Sequence, residues 1–541
     1  MSTRLTGTVG AAVALSLLLS SCGIIRDLTG GEPGADPETT AEEEAAAVEE
    51  ASYPELPFVR QARMSVEDGN DVQFELTINS LENNGEYLML EVEHDFLEPL
   101  PGTVTGRNAP VRLVDPISGE VMRGLRDAEN NDENYGTYFV LGDPFMPTHE
   151  GLPTTLRRYF PAPSEDVEYL SLTGAGVGHM PGIPVTYVDE FTEAPEPTAD
   201  QYIDPDTFVQ DPELPEEIWY PDNVPEPGLD TSAYLQSIES FVDSPTASTT
   251  RSGDQETIAL HSDNMFEVDE SEPTAEAAET IRQAAQSLRE NLGPDVDEVT
   301  VIGHTDGQGA ADYNQTLSEQ RAEAARALLE EELGDEFTFV TEGRGATELL
   351  AEEGGADDEE SRARNRRVEF AYQVPLDDTA GEEGSEGLDS AKRHVAPPAP
   401  YFENTEPFTT VSHNDVDLHV YPMVRDGAYL VQMVGFQNST LQELEADLDV
   451  DEAVIPGSPA QYTEGTMGGF RLEEPDTGII RYVVRIHMLD GEYEDFADEI
   501  NTLAPGEQYF AIAVFPAPAL DITEMTLYAG AFGEVAGVPI Q

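Results

Sequence analysis

One stretch restricts the possible folds more than any other, the run from Val299 to Phe370. A β-rich segment, Val299 to Ile302, ends in Gly303-His304-Thr305-Asp306 and is followed by a long helical segment that carries Arg321. Leu317, Ala324, Ala325, Leu328 and Leu329 recur in that segment at helical spacing, so one face must lie on a sheet. Thr316 or Asn314 is placed to cap it. Upstream, Thr257 to Leu260 reads as a strand, followed by Met265-Phe266. Glu272 to Glu276 reads as a helix start, with Ala277, Ile281, Ala284, Ala285 and Leu288 on one face and Gly293-Pro294 as the stop. Phe337 to Val340 and Arg367 to Tyr372 supply further strands. The prediction for residues 252–375 is an α/β domain, a mixed sheet with helices on one face.

Asp306 lies just past a strand end among Gly303, Gly307 and Gly309, glycines that permit a tight backbone and close approach of a ligand. Arg321 lies near the start of the next helix, and strand ends and helix starts converge at one sheet edge, where ligands bind. A carboxylate and a guanidinium held there make a receptor for a zwitterion. The carboxylate takes an ammonium, and the arginine forks onto a carboxylate. The same pair serves equally well as an internal salt bridge, and spacing does not choose between the two. Asn365, Arg366 and Arg367 at the last strand can add to the site. Arginine is enriched there, at 344, 362, 364, 366 and 367, in a chain with 26 basic residues against 109 acidic ones.

The 541 residues leave room for several domains, and a formal charge of -83 shapes what they can meet. Such a chain repels itself in dilute salt and has no basic surface for phosphates, which excludes nucleic acid as a partner. No metal site or cofactor is expected. Cys22 is the sole cysteine, so no intrachain disulfide forms. It follows Arg4, an apolar run from Val9 to Leu19 and Ser20-Ser21, the pattern of an export signal over residues 1–21. This junction resembles the lipobox of bacterial lipoproteins. That resemblance implies lipidation of Cys22, palmitate included, and anchoring to a membrane through the N-terminal lipid. Residues 22–57 are an acidic flexible tether.

Residues 58–190 and 400–541 read as two copies of an all-β, sandwich-like domain. ELTINSLENNGEYL from Glu75 matches DLHVYPMVRDGAYL from Asp417, and RLVDPISG from Arg112 matches RLEEPDTG from Arg471. FPAPSEDVEYLSLTGAGVGHMPGIPV from Phe160 matches FPAPALDITEMTLYAGAFGEVAGVPI from Phe515, in the same order. The shared Phe-Pro-Ala-Pro marks an extended segment entering a strand. His179 has Glu534 as its counterpart and reads as a surface or turn residue. Residues 191–251 and 376–399 are rich in proline and acid and read as linkers. Trp219-Tyr220 in the first is a docking spot, and Lys392-Arg393-His394 in the second is a small basic island.

GHTDGQGAADYNQTLSEQRAEAA, followed by GRG and RARNRRVEF, resembles the OmpA-like C-terminal domain family. MFEVDES from Met265 is similar to that family's opening strand and loop. The resemblance implies non-covalent peptidoglycan binding through the diaminopimelate of the stem peptide, with Asp306 and Arg321 holding the ligand's ends. It places Asn365, Arg366 and Arg367 beside the pocket and gives Thr305, Gly307, Tyr313, Asn314 and Leu317 pocket-shaping positions. The chain departs from the pattern at Arg344, where an aromatic residue is usual, and in the acidic run LLAEEGGADDEESRAR. Acid there either weakens capture of ligand carboxylates or holds Arg362 and Arg364. The expected function is non-catalytic: a lipid-anchored protein of the cell envelope, on the extracytoplasmic side of a membrane, tethered to the wall. The alternatives are an assembly or adhesion factor whose β domains bind envelope proteins, and a wall-remodelling enzyme.

Overall fold

The computed structural model describes residues 53–541 apart from 66–70, 98–110, 128–132, 138–153, 175, 195–221, 262–264, 267–269, 292–297, 335–336, 352, 355–357, 375–393, 403–405, 445–466, 488–492, 497–502 and 507. Cys22 and the export signal, Trp219-Tyr220, Gly293-Pro294 and Lys392-Arg393 lie outside the described residues.

A mixed α/β region sits between two mostly β regions. In the N-terminal β region, strands Phe58–Ser65, Asp71–Asn83, Tyr87–Phe96 and Thr154–Pro161 are neighbours in that order. A second set runs Gly178–Pro184, Tyr169–Gly174, Arg112–Val114, Glu120–Arg123. Both sets feed one core: Phe74, Leu76, Ile78 and Leu90 meet Leu113, Met122, Leu170 and Met180. The period-two alternation of Phe74, Leu76 and Ile78 puts these side chains on the buried face. The C-terminal β region repeats the connectivity. Thr409–His413, Val416–Val420, Tyr429–Asn438 and Gln508–Pro516 form the first set, and Glu534–Pro539, Glu524–Tyr528, Arg471–Glu473 and Ile480–Tyr482 the second. Phe-Pro-Ala-Pro closes a strand in each region rather than opening one, since Pro161 and Pro516 are terminal strand residues. Proline has no N–H to continue a ladder.

The stretch expected to be a linker holds the strand that joins all three regions. Leu235–Asp243 pairs Ser237 with Glu120 of the N-terminal region and with His487 of the C-terminal region. Its far end pairs Val242 with Arg481, and also begins a hairpin with Ala247–Ser252. That hairpin continues into Gln255–His261, the first strand of the α/β region. Composition concealed the strand because its polar residues are buried against distant arginines. Glu239 Oε1 accepts from Arg485 Nε at 2.6 Å, and both Asp243 oxygens accept from Arg364 at 2.6 Å.

In the α/β region Gln255–His261, Arg367–Gln373 and Glu298–His304 are antiparallel neighbours, and Thr338–Gly345 lies parallel to the last. Helix α1, Ala275–Asn291, buries Ala277, Ile281, Ala284, Ala285 and Leu288, the face the spacing predicts. Thr274 caps it, its Oγ1 accepting from Ala277 N at 3.0 Å. Helix α2, Ala311–Leu333, starts earlier than either proposed cap, and Ala310 precedes it without a side-chain cap. Asn314 and Thr316 are inside it, because the loop after Asp306 is short and Asn314 is used to hold that loop. The acidic run before the last strand ends in a third helix, α3, Asp358–Asn365.

Candidate functional site

Two glycines set the position of α2. Gly303 and Gly343 are register partners on adjacent parallel strands. A side-chain carbon on Gly303 would lie 2.1 Å from Ser318 O, and one on Gly343 would lie 2.6 Å from Glu319 N. The close approach that Gly303 permits is therefore to the helix, not to a ligand. Ser318, fully buried, fastens the contact: its Oγ accepts from Gly345 N at 2.9 Å and donates to Gln315 O at 2.8 Å. Arg321 follows Ser318 by one turn.

Arg321 is 3% exposed. Its Nε donates to Glu270 O at 3.1 Å, and its guanidinium carbon lies 5.2 Å from the centre of the Phe266 ring. Phe266 and the Glu270 carbonyl thus both contact the arginine, and the planar cation is stacked as well as hydrogen-bonded.

Asp306 sits in the loop between the Glu298–His304 strand and α2. Asn314 Nδ2 straps that loop to the helix, donating to Asp306 O at 3.2 Å and Gln308 O at 2.9 Å. Thr305, 3% exposed, donates its hydroxyl to Asp306 O at 3.0 Å. The Asp306 carboxylate accepts from Gln308 N at 3.1 Å and from Arg366 Nη1 at 2.7 Å. Its ion-pair partner is thus Arg366, whose Nη2 also reaches Glu359 Oε1 at 2.7 Å.

Asn365 is wholly buried and organises the loop before it. Its Oδ1 accepts from Leu350 N at 2.7 Å and Ala351 N at 3.0 Å. Its Nδ2 donates to Ala351 O at 2.9 Å and Glu353 Oε1 at 2.8 Å. Arg367 is 3% exposed and turned to Glu369 at 2.6 Å and to the Glu348 and Asn365 carbonyls. Tyr313 is 47% exposed in the first turn of α2, and Leu317 is buried one turn on. Arg362 is held by Glu359 at 2.7 Å within the acidic run, whereas Arg364 leaves the run for Asp243 in the joining strand. Arg344 pairs with Glu342 and Glu348. Thr305, Asp306, Gly307, Asn314, Asn365 and Arg366 therefore share one network, and Arg321 is held separately by Phe266 and Glu270. Sequence reasoning missed Glu353, Ser318 and Phe266 as parts of the site. Phe266 lies in the segment from Met265 and Glu353 in the acidic run, both singled out without these roles, and Ser318 precedes Arg321 by one helical turn. Among the described residues no His, Cys, Asp and Glu side chains group as a metal site.

Beneath the loop, fully buried His304 lies 3.4 Å from Glu369 Oε2, without hydrogen-bond geometry. Burial pushes the Glu369 carboxyl up, but His304 and Arg367 outweigh burial and hold it down at about 2. The folded form therefore gains stability from Glu369 that is complete above the ordinary value of 4.5 and is lost as pH falls through about 2. Carboxyl NMR should place the Glu369 midpoint near 2, and a midpoint at or above 4.5 would refute the assignment.

Fold and candidate site together give an α/β domain with a strand-end carboxylate and a buried arginine. Residues 265–366 match the OmpA family, a span that contains Asp306, Arg321, Asn365 and Arg366. This central part of the chain is similar in sequence to that family. It is 35% identical to Outer membrane protein A of Bordetella avium over 113 residues, 21% of this chain and 55% of that protein. Probable lipoprotein YiaD of Escherichia coli is 36% identical over 125 residues, 23% of this chain and 53% of the other. The Peptidoglycan-associated lipoprotein of Legionella pneumophila is 32% identical over 112 residues, 20% of this chain and 59% of the other. The chain spans about half the length of each of these relatives. A solved structure of the cell wall anchor of the T6SS from Pseudomonas aeruginosa shares 30% identity, covering 24% of this chain and 89% of that one, with a TM-score of 0.22. By their names these relatives are an outer membrane protein, a probable lipoprotein and a peptidoglycan-associated lipoprotein.

Proposed function

We propose that the central domain binds peptidoglycan non-covalently and tethers an envelope protein to the wall. The observation that carries this reading is the placement of Asp306 and Arg321 on a strand-end loop and a glycine-seated helix within the OmpA-like span. The ligand moiety is the zwitterionic end of diaminopimelate in the stem peptide. Its ammonium goes to the Asp306 carboxylate and its carboxylate to the Arg321 guanidinium. Arg366, which pairs with Asp306, moves or shares its bond as the ammonium arrives. Thr305, Gly307 and Asn314 shape the loop, Tyr313 and Leu317 line the helix side, and Asn365 and Arg367 act by positioning.

Lipidation at Cys22 and the acidic tether supply the membrane end of the link, on the extracytoplasmic side. Anchoring plus a polymeric ligand raises effective concentration, so each site need not bind tightly. The equal strand orders of the two β regions support a duplication. Their mutual packing supports a holding role: Val114 and Val121 of the first share a core with Val431, Met433, Ile512 and Val514 of the second. Binding of envelope proteins by these regions remains the second reading.

The test is co-sedimentation with diaminopimelate-type sacculi. Asp306→Asn and Arg321→Lys should each lower the bound fraction by about tenfold, the loss of one charge-assisted contact. Far-UV circular dichroism establishes that both variants are folded. If both sediment like the parent protein, the reading is wrong.

A further inference from the structure

Glu353 lies in the acidic run, 46 residues from Gly307 along the chain, yet its carboxylate is held over the strand-end loop. Its Oε1 accepts from Gly307 N at 2.8 Å and from Asn365 Nδ2 at 2.8 Å. Its Oε2 lies 2.8 Å from where a side-chain carbon on Gly307 would begin. Asn365 has every donor and acceptor engaged, so its grip on Glu353 belongs to a built support.

The charge at this end of the site gives Glu353 a purpose. Asp306 and Arg366, 2.7 Å apart, form a pair of net charge zero, which attracts an incoming ammonium weakly. Glu359 draws on the other side of Arg366, but it is 71% exposed and screened by solvent. Glu353 adjoins Asp306 through Gly307 and restores a net negative charge where an ammonium is to be received. A ligand carboxylate placed there meets repulsion and finds the Gly307 N–H already taken.

We propose that Glu353 is a specificity-determining residue of this site: a second carboxylate that, with Asp306, makes the strand-end side select an ammonium over a carboxylate. The inference rests on the zwitterion-binding reading above. It turns the acidic run from an obstacle to binding into part of the receptor.

The test titrates the full chain and its Glu353→Gln variant with meso-diaminopimelate and with pimelate, the same dicarboxylate without amino groups. Glutamine keeps an oxygen for Gly307 N and Asn365 and removes only the charge. Glu353→Gln should weaken diaminopimelate binding by roughly fivefold to tenfold and leave pimelate binding unchanged or tighter. The preference for diaminopimelate over pimelate should therefore fall, and the difference between the two proteins should shrink at high salt. An equal preference in both proteins, or tighter diaminopimelate binding by the variant, overturns the role of Glu353 and leaves the parent reading standing. A parent chain that does not bind diaminopimelate overturns the selectivity assigned to Glu353. If that chain also fails to sediment with sacculi, the wall-binding reading falls with it.

Discussion

Gly303→Ala should destabilise the central domain by about 3 kcal/mol, the upper part of the range for overpacking, and remove wall binding with it. The added carbon would lie 2.1 Å from Ser318 O and 3.3 Å from Ala322 N. Both obstacles are backbone atoms, so no rotamer change relieves the contact and α2 must shift as a body. Shifting α2 breaks the Gly345 N to Ser318 Oγ bond and carries Arg321 away from Phe266 and Glu270. Gly343→Ala, with Glu319 N 2.6 Å from its new carbon, should behave alike. Gly334→Ala is the control: its φ of 81° and ψ of -163° suit glycine almost alone, so an alanine costs about 1–3 kcal/mol of backbone strain, but nothing lies within 4 Å and α2 should keep its place on the sheet. Denaturant midpoints followed by circular dichroism measure all three. A Gly303→Ala protein with the parent's midpoint would show that the helix does not depend on the glycine seat.

Asp426→Ala should loosen the two β regions from each other, at a cost of about 3–5 kcal/mol. Asp426 is 1% exposed and belongs to the C-terminal region. Its Oδ2 accepts from Ser171 Oγ at 2.6 Å and faces His179 Nε2 at 2.9 Å, both in the N-terminal region. Its Oδ1 accepts from Ala399 N at 2.7 Å. Alanine leaves all three groups buried without that acceptor. Asp426→Asn keeps one oxygen and should cost less. Calorimetry should show a lower first transition and earlier separation of the β regions in Asp426→Ala than in the parent. Superimposable thermograms would mean that the carboxylate does not hold the regions together. This contact also corrects the expectation for His179, which is 3% exposed at the interface rather than at the surface. Its counterpart Glu534 is exposed at the start of a terminal strand, so the two equivalent positions serve different surroundings.

The face of α1 was legible because Ala277, Ile281, Ala284, Ala285 and Leu288 repeat with the helical period, and a repeat of that kind survives any tertiary context. Strand Glu298–His304 was legible for a similar reason, and so was the loop that carries Asp306. The partner of Asp306 was not. Arg366 lies 60 residues away, and nothing in the spacing favours it over Arg321. The role of Asn365 was hidden in the same way, since an asparagine beside a pocket looks alike whether it faces a ligand or secures Leu350, Ala351 and Glu353.

By itself, the sequence determined the periodic elements, the order of the three regions and the residue types at the strand end, because these depend on local spacing and chain chemistry. Tertiary structure alone decided how they join. Leu235–Asp243 reads as linker until Arg485 and Arg364 arrive to satisfy Glu239 and Asp243, and only then can so polar a segment be buried as a shared strand. It likewise decided which charges meet around Asp306, since an ion pair depends on proximity in space.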